Sequence, residues 1–192
     1  GALDHLFTAT SAVSTTGLVT LSVSDRYTAF GQAVVLLLIQ VGGVGCMTFG
    51  SFVILARGRQ LSPARAEVGE AVFSLPQSLE LGSFIRGVVC FTLIVEALGA
   101  LALFFILQSS GRSLPIWEAV FHSVSAFCTA GFSLYNTSFA DYAGHFWLNA
   151  TVAALSFLGA IGFIVWMDFW RMLSGRSQSM TLTSKIILWA TF

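Results

Sequence analysis

Apolar residues in this chain are gathered into three long runs and two short ones. The long runs cover Tyr27–Ala56, Ser83–Leu107 and Phe146–Trp170. A helix needs around 20 predominantly apolar residues to cross the hydrocarbon core of a bilayer, so each long run predicts a transmembrane span. The short runs, Ala2–Val13 and Ile116–Phe127, have about half that length. As helices that rise about 1.5 Å per residue, they are expected to enter a membrane and stop partway.

Both short runs begin with the signals of a helix N-terminus. Pro115 precedes the second run, where its missing N–H costs little. Asp4 and Glu118 fall in the first turns, where the helix dipole stabilises a carboxylate. The two segments are therefore predicted to be re-entrant helices.

The two short runs and the residues after them are copies of one sequence. Residues 3–18 read LDHLFTATSAVSTTGL, and residues 117–132 read WEAVFHSVSAFCTAGF. A shift of 114 positions places Gly17 on Gly131 and aligns the first-turn acids, one phenylalanine and one serine as well. Each copy ends in a small, hydroxyl-rich stretch with one glycine and is followed by a long apolar run. This duplication indicates an ion pore built from internal repeats.

The long runs that follow the copies also match. QVGGVG at residues 40–45 aligns with FLGAIG at residues 157–162 once three extra residues are allowed in the second loop. Small residues at this spacing let helices approach closely in lipid. The alternative, a glycine-rich phosphate loop, requires a strand before it and a helix after it, whereas these glycines lie inside an apolar run. Helix packing is therefore the favoured interpretation.

Composition supports a bilayer as the solvent. Of the 192 residues, 56% are hydrophobic and 9% are charged, and the mean hydropathy is +0.84. Soluble domains carry about 25% charged residues, so this chain lacks the charge to cover a water-facing surface. The net charge is zero without a basic block, so membrane lipid is an expected partner and nucleic acid is not. The three cysteines lack the spacing of metal ligands, so no metal site is predicted from them.

Basic residues between the spans are concentrated on one side. Arg57–Gly82 is polar and holds three arginines, and Arg171–Lys185 holds three basic residues. The positive-inside rule places both segments in the cytoplasm, so the short helices enter the plasma membrane from outside. The expected organisation is a first unit over residues 1–56, a cytoplasmic connector over 57–82, a second unit over 83–170, and a cytoplasmic loop with the start of another span over 171–192.

Each short run leads into a segment suited to a dehydrated cation. Ser14–Leu18 and Cys128–Phe132 are small, hydroxyl-rich and free of lysine and arginine. Backbone carbonyls can replace the water shell of a cation, and glycine tolerates the non-helical dihedrals that aim successive carbonyls at one axis. The C-terminal end of the preceding helix carries about half a negative elementary charge, which favours a cation. The alternative is an ordinary turn with a glycine cap, which the duplication disfavours.

Three segments carry a family resemblance: LFTATSAVSTTGL, FGQAVVLLLIQVGGVGCMTFG and FHSVSAFCTAGFSL. Together they resemble the Ktr/Trk/HKT superfamily of potassium-uptake proteins, nearest to the membrane subunit of Ktr systems, over essentially the whole chain. The resemblance implies an all-α membrane protein of repeated units, each a transmembrane helix, a re-entrant pore helix, a filter loop and a second transmembrane helix. It also implies an internal fragment that covers the end of repeat one, repeat two and the start of repeat three.

The resemblance further implies a function and a site. The function is potassium transport through a filter of backbone carbonyls, with sodium coupling or stimulation left open, and no enzyme activity. K⁺ is the expected transported ion, and Na⁺ is a second candidate. Family members form homodimers on a cytosolic nucleotide-binding regulatory ring, so a second copy and such a subunit are expected partners. Carried over to this sequence, the filter residues are Thr15, Thr16, Gly17, Leu18, Thr129, Ala130, Gly131 and Phe132.

Other functions remain open on the sequence alone. One is a sodium-permeable relative of the same superfamily, and another is a membrane subunit with purely structural duties. An intramembrane hydrolase would start from His122, which lies beside Ser123 and Ser125. Residues one apart on a helix do not face each other, so this alternative is disfavoured, and His122→Ala is expected to spare transport.

Two polar residues lie within the predicted spans. Glu96 is either a functional intramembrane acid or a carboxyl hydrogen-bonded between packed helices, and the sequence does not separate these interpretations. Gln40 is expected to be satisfied by a neighbouring helix.

Overall fold

The regular structure is helical in every part of the chain that is described. The computed structural model describes residues 1–45, 81–111, 115–173, 180 and 182–191. No strand occurs within these ranges, in agreement with the all-α prediction. The helices are α1 Ala2–Val13, α2 Val23–Arg26, α3 Ala29–Val44, α4 Leu81–Ser109, α5 Ile116–Phe127, α6 Phe146–Ile161, α7 Phe163–Leu173 and α8 Leu182–Thr191, with a 3₁₀ turn at Ala140–Tyr142.

Helices α1 and α5 have the bounds that the sequence predicts for the two short runs. Each has 12 residues. At about 1.5 Å per residue, such a helix is too short to cross a hydrocarbon core of about 30 Å. Pro115 is the N-cap residue of α5, and Glu118 lies in its first turn, as Asp4 does in α1. Ser14 and Cys128 end the two helices at matching positions.

Helix α4 is the longest of the described helices. It has 29 residues, and its stretch Ile85–Ser109 has the length and hydropathy of a membrane span. Helices α3 and α6 are shorter apolar helices of 16 residues each. Their N-termini are capped by Thr28 and His145, whose side chains accept backbone N–H groups of the first turn.

The predicted span Phe146–Trp170 is wrong as a single helix, because the backbone breaks at Gly162. Gly162 has a φ of 80°, a left-handed conformation that glycine adopts at little cost, and it separates α6 from α7. Its counterpart Gly45, with a φ of 87°, ends α3 in the same way. The rest of the predicted span Tyr27–Ala56, and the predicted connector 57–82 up to residue 80, lie outside the described residues.

Two other glycines of the matched segments support close helix packing, as the sequence predicts. Gly42 lies on α3, where an added Cβ would come within 2.1 Å of the carbonyl oxygen of Val13, the last residue of α1. Gly159 lies on α6, where an added Cβ would come within 1.8 Å of the carbonyl oxygen of Phe127, the last residue of α5. Backbones therefore approach closely at the ends of both short helices.

Helix α5 is the best enclosed part of the fold. Helices α4 and α6 pack along it, and α3 packs on it from the first unit. Every residue from Phe121 to Phe127 is buried, whereas α1 exposes Leu3 and Leu6. The second short helix is thus surrounded by helices, and the first is open on one face.

Glu96 is hydrogen-bonded between packed helices. It lies on α4 with 5% of its surface exposed, and its Oε2 accepts the Gln40 amide from α3 at 3.0 Å. Its backbone carbonyl accepts the Ser123 hydroxyl from α5 at 2.7 Å. Gln40 is thus satisfied by a neighbouring helix, as predicted, and the geometry favours the hydrogen-bonding interpretation of Glu96.

Candidate ion-binding site

The first short helix ends in a tight reversal of the backbone. The N–H of Thr15 donates to the Ala12 carbonyl at 3.2 Å, and the N–H of Thr16 donates to the Ser11 carbonyl at 3.0 Å. This pair of bonds is a Schellman motif, in which the left-handed residue is usually glycine. Here that residue is Thr15, with a φ of 50°, and Gly17 follows with a φ of 77°. The chain therefore leaves helical geometry at Thr15.

The second short helix ends in the same turn. The N–H of Thr129 donates to the Ala126 carbonyl at 3.0 Å, and the N–H of Ala130 donates to the Ser125 carbonyl at 2.8 Å. Thr129 has a φ of 52°, and Gly131 has a φ of 72°. A non-glycine residue in this conformation costs roughly 1–2 kcal/mol. The two loops thus share a strained backbone, and not only a similar sequence.

Carbonyl oxygens of both loops are left without hydrogen bonds. In the part of the chain that the structure describes, no donor reaches the carbonyls of residues 15–17 or of residues 129–131. Thr16, Thr129 and Gly131 are exposed, so the backbone of both loops is accessible from outside the described chain. Unpaired backbone carbonyls of this kind can replace the water shell of a cation.

The two loops meet at their glycines. A Cβ added to Gly17 would lie 2.4 Å from the Ala130 carbonyl oxygen and 3.2 Å from Gly131 Cα. A Cβ added to Gly131 would lie 3.7 Å from Gly17 Cα. The structure thus brings the two sets of predicted site residues into one place.

The two loops differ in exposure and in support. Ala130 is 0% exposed, whereas Leu18 is 60% exposed. Ser125 Oγ donates to the Phe132 carbonyl at 2.6 Å and so holds the outer end of the second loop. The matching residue of the first copy, Ser11, is buried, and its hydroxyl finds no hydrogen-bond partner among the described residues.

Sequence reasoning missed the partners of His122. Its Nε2 lies 3.0 Å from Ser133 Oγ and accepts the N–H of Leu134 at 3.2 Å. The neighbouring hydroxyls of Ser123 and Ser125 donate instead to backbone carbonyls. The structure therefore gives no support to the serine–histidine pairs from which a hydrolase was considered.

Comparison with known sequences decides the family. The profile of the TrkH family, described as a cation transport protein, matches residues 1–189. The chain belongs to the TrkH family. Membership places it in a family of membrane transport proteins, and it confirms the resemblance to the Ktr/Trk superfamily.

Curated relatives of this TrkH family chain are cation uptake proteins by name. It is 33% identical to the potassium/sodium uptake protein NtpJ of Enterococcus hirae, over 98% of this chain. It is 31% and 32% identical to the Ktr system potassium uptake protein B of Bacillus subtilis and of Vibrio alginolyticus, again over 98% of this chain. The chain spans 42% of the length of each of these relatives.

A further contact joins the two units of the TrkH family chain beyond their loops. Asn136 Oδ1 accepts the Ser24 hydroxyl at 2.8 Å, and Asn136 Nδ2 donates to Asp25 Oδ2 at 2.9 Å. Trp117 Nε1 donates to Gln32 Oε1 at 2.7 Å. Polar side chains therefore reinforce the contact between loops, and nothing in the local sequence pattern pointed to them.

The ends of the two short helices contribute to the electrostatics of the site. Among the residues with described side chains, no three of His, Cys, Asp or Glu come close enough together to hold a metal ion. The C-terminal ends of α1 and α5 lead directly into the two loops, and each carries about half a negative elementary charge. The local field of the TrkH family chain therefore favours a cation at the loops.

Within the described residues, the hydroxyl of Ser125 is hydrogen-bonded and that of its copy Ser11 is not, and this difference can be tested by mutation. Ser125→Ala in the full-length protein is expected to lower stability, because the Phe132 carbonyl loses a buried hydrogen bond worth about 1 kcal/mol. Ser11→Ala is the matched control and is expected to be neutral, since the hydroxyl that it removes has no partner in the described structure. Thermal unfolding midpoints of both purified variants measure the difference. Equal destabilisation by the two changes would contradict the asymmetry.

Proposed function

We propose that this TrkH family chain is part of a potassium-uptake protein and that its two loops contribute to the ion filter. The observation that carries the proposal is the pair of adjoining loops, residues 14–18 and 128–132, with the same strained turn and unpaired carbonyls. A dehydrated K⁺ requires oxygens at fixed positions, and backbone carbonyls provide them without side-chain charge. The names of the curated relatives support potassium as the ion.

Each part of the loop has a proposed role. The carbonyls of residues 15–17 and 129–131 line the ion path. Thr15 and Thr129 turn the backbone out of the helix, and the following glycines let the two loops adjoin. The helix ends behind the loops add a favourable field for the cation.

The last residue of each loop lies at the outer mouth in this proposal. The Phe132 carbonyl accepts the Ser125 hydroxyl, so this bond supports the loop and leaves the second lone pair of the oxygen for an ion. Leu18 is exposed, and its surroundings in the proposed assembly come from other repeats.

The repeat assignment follows from the helix lengths. We propose α1 and α5 as pore helices of repeats one and two, and α4 as the first span of repeat two. Helix α3 then belongs to the second span of repeat one, α6 and α7 together form the second span of repeat two, and α8 is the start of repeat three. The family resemblance implies four repeats. This chain then supplies half of the filter and is not expected to conduct alone.

We further propose that the whole protein is a homodimer in the plasma membrane, resting on a cytosolic nucleotide-binding regulatory subunit. Segments 57–82 and 171–185 are then cytoplasmic. The support is the similarity to Ktr membrane subunits together with the basic residues of these segments.

Cation uptake by the full-length protein tests the proposal. In cells that lack their own potassium uptake, we expect saturable K⁺ uptake that excess Na⁺ does not block. Uptake measured with and without added Na⁺ detects sodium coupling or stimulation. Na⁺ influx as fast as K⁺ uptake would favour the sodium-permeable alternative, which the name of the Enterococcus hirae relative keeps open. Absence of cation uptake in proteoliposomes would overturn the proposal.

A further inference from the structure

His122 connects the second short helix to the chain that follows the second loop. Its side chain is 2% exposed on α5, and both ring nitrogens have partners. Nδ1 lies 2.8 Å from the Glu118 carbonyl oxygen, one turn earlier on the same helix. Nε2 lies 3.0 Å from Ser133 Oγ and 3.2 Å from the backbone nitrogen of Leu134. The ring therefore bridges the helix and the segment directly beyond Phe132.

These partners assign one form of the ring. The Leu134 N–H donates to Nε2, so Nε2 carries a lone pair and the proton of the neutral imidazole is on Nδ1, where it donates to the Glu118 carbonyl. Ser133 Oγ accepts the N–H of Tyr135 at 3.0 Å, and its own proton is directed at Nε2 in this tautomer. The Ser133 hydroxyl and the Leu134 N–H then share the single lone pair of Nε2.

The same segment is held by neighbouring side chains. The His122 ring packs between Tyr135, at 4.7 Å between ring centroids, and Phe139, at 4.8 Å. The Tyr135 hydroxyl donates to Glu118 Oε2 at 2.6 Å. With the Ser125 bond to the Phe132 carbonyl, residues 132–135 are attached to α5 at successive positions.

The first copy is attached differently, since the segment after its loop reaches its helix through the Thr20 hydroxyl, which donates to Asp4 Oδ1 at 3.4 Å. Thr8 occupies the position that matches His122, and its hydroxyl donates to the Asp4 carbonyl at 2.9 Å, within its own helix. The residue that matches Phe132 is the exposed Leu18. The two loops therefore have the same turn but different outer supports.

We propose that His122 is a positioning residue that fixes the outer end of the second filter loop and thereby contributes to the discrimination between K⁺ and Na⁺. The proposal rests on the filter function proposed above. A binding constellation must be held within about 0.5 Å by supporting side chains, and the neutral ring does this from behind the loop through Leu134 and Ser133. It reverses the expectation from sequence that His122→Ala spares transport.

Three substitutions of His122 in the full-length protein test this role. His122→Gln places an amide oxygen near the position of Nε2 and keeps an acceptor for the Leu134 N–H. His122→Asn is too short to do so, and His122→Leu keeps apolar volume without any acceptor. We expect the ratio of K⁺ to Na⁺ uptake to fall about fivefold or more in the Leu and Asn variants and to be largely restored in the Gln variant. Thr8→Val, the matched change in the first copy, is expected to leave the ratio unchanged.

The outcomes separate this inference from the filter proposal. Wild-type selectivity in a folded His122→Leu protein would overturn the role of His122, and so would equal losses in the Leu and Gln variants. If His122→Leu fails to fold, Ser133→Ala removes one partner of the ring and is expected to lower the ratio in the same direction; no change there would also overturn it. Gly17→Ser tests the filter proposal separately. If the Gly17→Ser protein keeps its selectivity for K⁺ over Na⁺, the filter proposal is refuted. If Gly17→Ser loses selectivity and the His122 variants keep it, only the positioning role of His122 is refuted.

Discussion

Replacing Gly17 with serine in the full-length protein is expected to lower potassium uptake about tenfold or more and to weaken the preference for potassium over sodium. Gly17 has a φ of 77°, where a side chain costs of order 1–3 kcal/mol. Its Cβ would also meet the Ala130 carbonyl oxygen at 2.4 Å. The substitution therefore strains one loop and displaces a proposed ion ligand of the other. Initial rates of K⁺ and Na⁺ uptake measure both effects.

Gly131→Ser is expected to act in the same direction with a smaller effect. Its φ of 72° imposes the same strain, but the atom nearest to an added Cβ is Gly17 Cα at 3.7 Å, an ordinary contact. Gly111→Ser is the matched control, because Gly111 has a φ of 90° and nothing within 4 Å of an added Cβ. If Gly111→Ser lowers K⁺ uptake as much as the loop variants do, backbone strain in general explains the effect. If Gly17→Ser and Gly131→Ser both keep the preference for K⁺ over Na⁺, the filter assignment is refuted.

Glu96→Leu is expected to destabilise the full-length protein by about 1–3 kcal/mol. The Gln40 amide donates to Glu96 Oε2 at 3.0 Å, and the substitution leaves that amide unpaired between α3 and α4. Because the pair joins the first unit to the second, the yield of folded protein should fall as well. The thermal unfolding midpoint of the purified variant, compared with wild type in the same detergent, measures the loss.

Two controls separate the hydrogen bond from the charge at Glu96. Glu96→Gln keeps the size and an acceptor for Gln40, so its stability and uptake are expected to stay near those of wild type. The double variant Gln40→Leu with Glu96→Leu removes both polar partners and is expected to recover part of the loss. If Glu96→Gln were as damaging as Glu96→Leu, the carboxylate charge would be required, and a functional acid would again be the better interpretation.

The two short helices were the most predictable part of the fold. Ala2–Val13 and Ile116–Phe127 are bounded by polar or small residues, and the duplication marks the same boundaries twice. The Pro115 N-cap and the first-turn acids agree with them because they act locally. The left-handed backbone at Gly17 and Gly131 was predictable in the same way, whereas that at Thr15 and Thr129 was not.

The break at Gly162 was not predictable from the apolar pattern. Hydropathy is a property of each residue, and it does not distinguish Gly159, which stays helical against the Phe127 carbonyl, from Gly162, which has a φ of 80°. The alignment of Gly45 with Gly162 indicated that the two glycines behave alike. It did not indicate that both end a helix.

Amino-acid order alone was enough to establish a helical membrane protein with duplicated half-length helices, each leading into a glycine-containing loop, because length, polarity and repetition can be read along the chain. The folded arrangement decided which groups meet. It set Gly17 against Gly131, directed His122 to Ser133 and not to the adjacent serines, and paired Ser125 while leaving its copy Ser11 without a partner among the described residues. The reason is that such contacts depend on where the backbone returns after it reverses direction, and local patterns carry no information about that return.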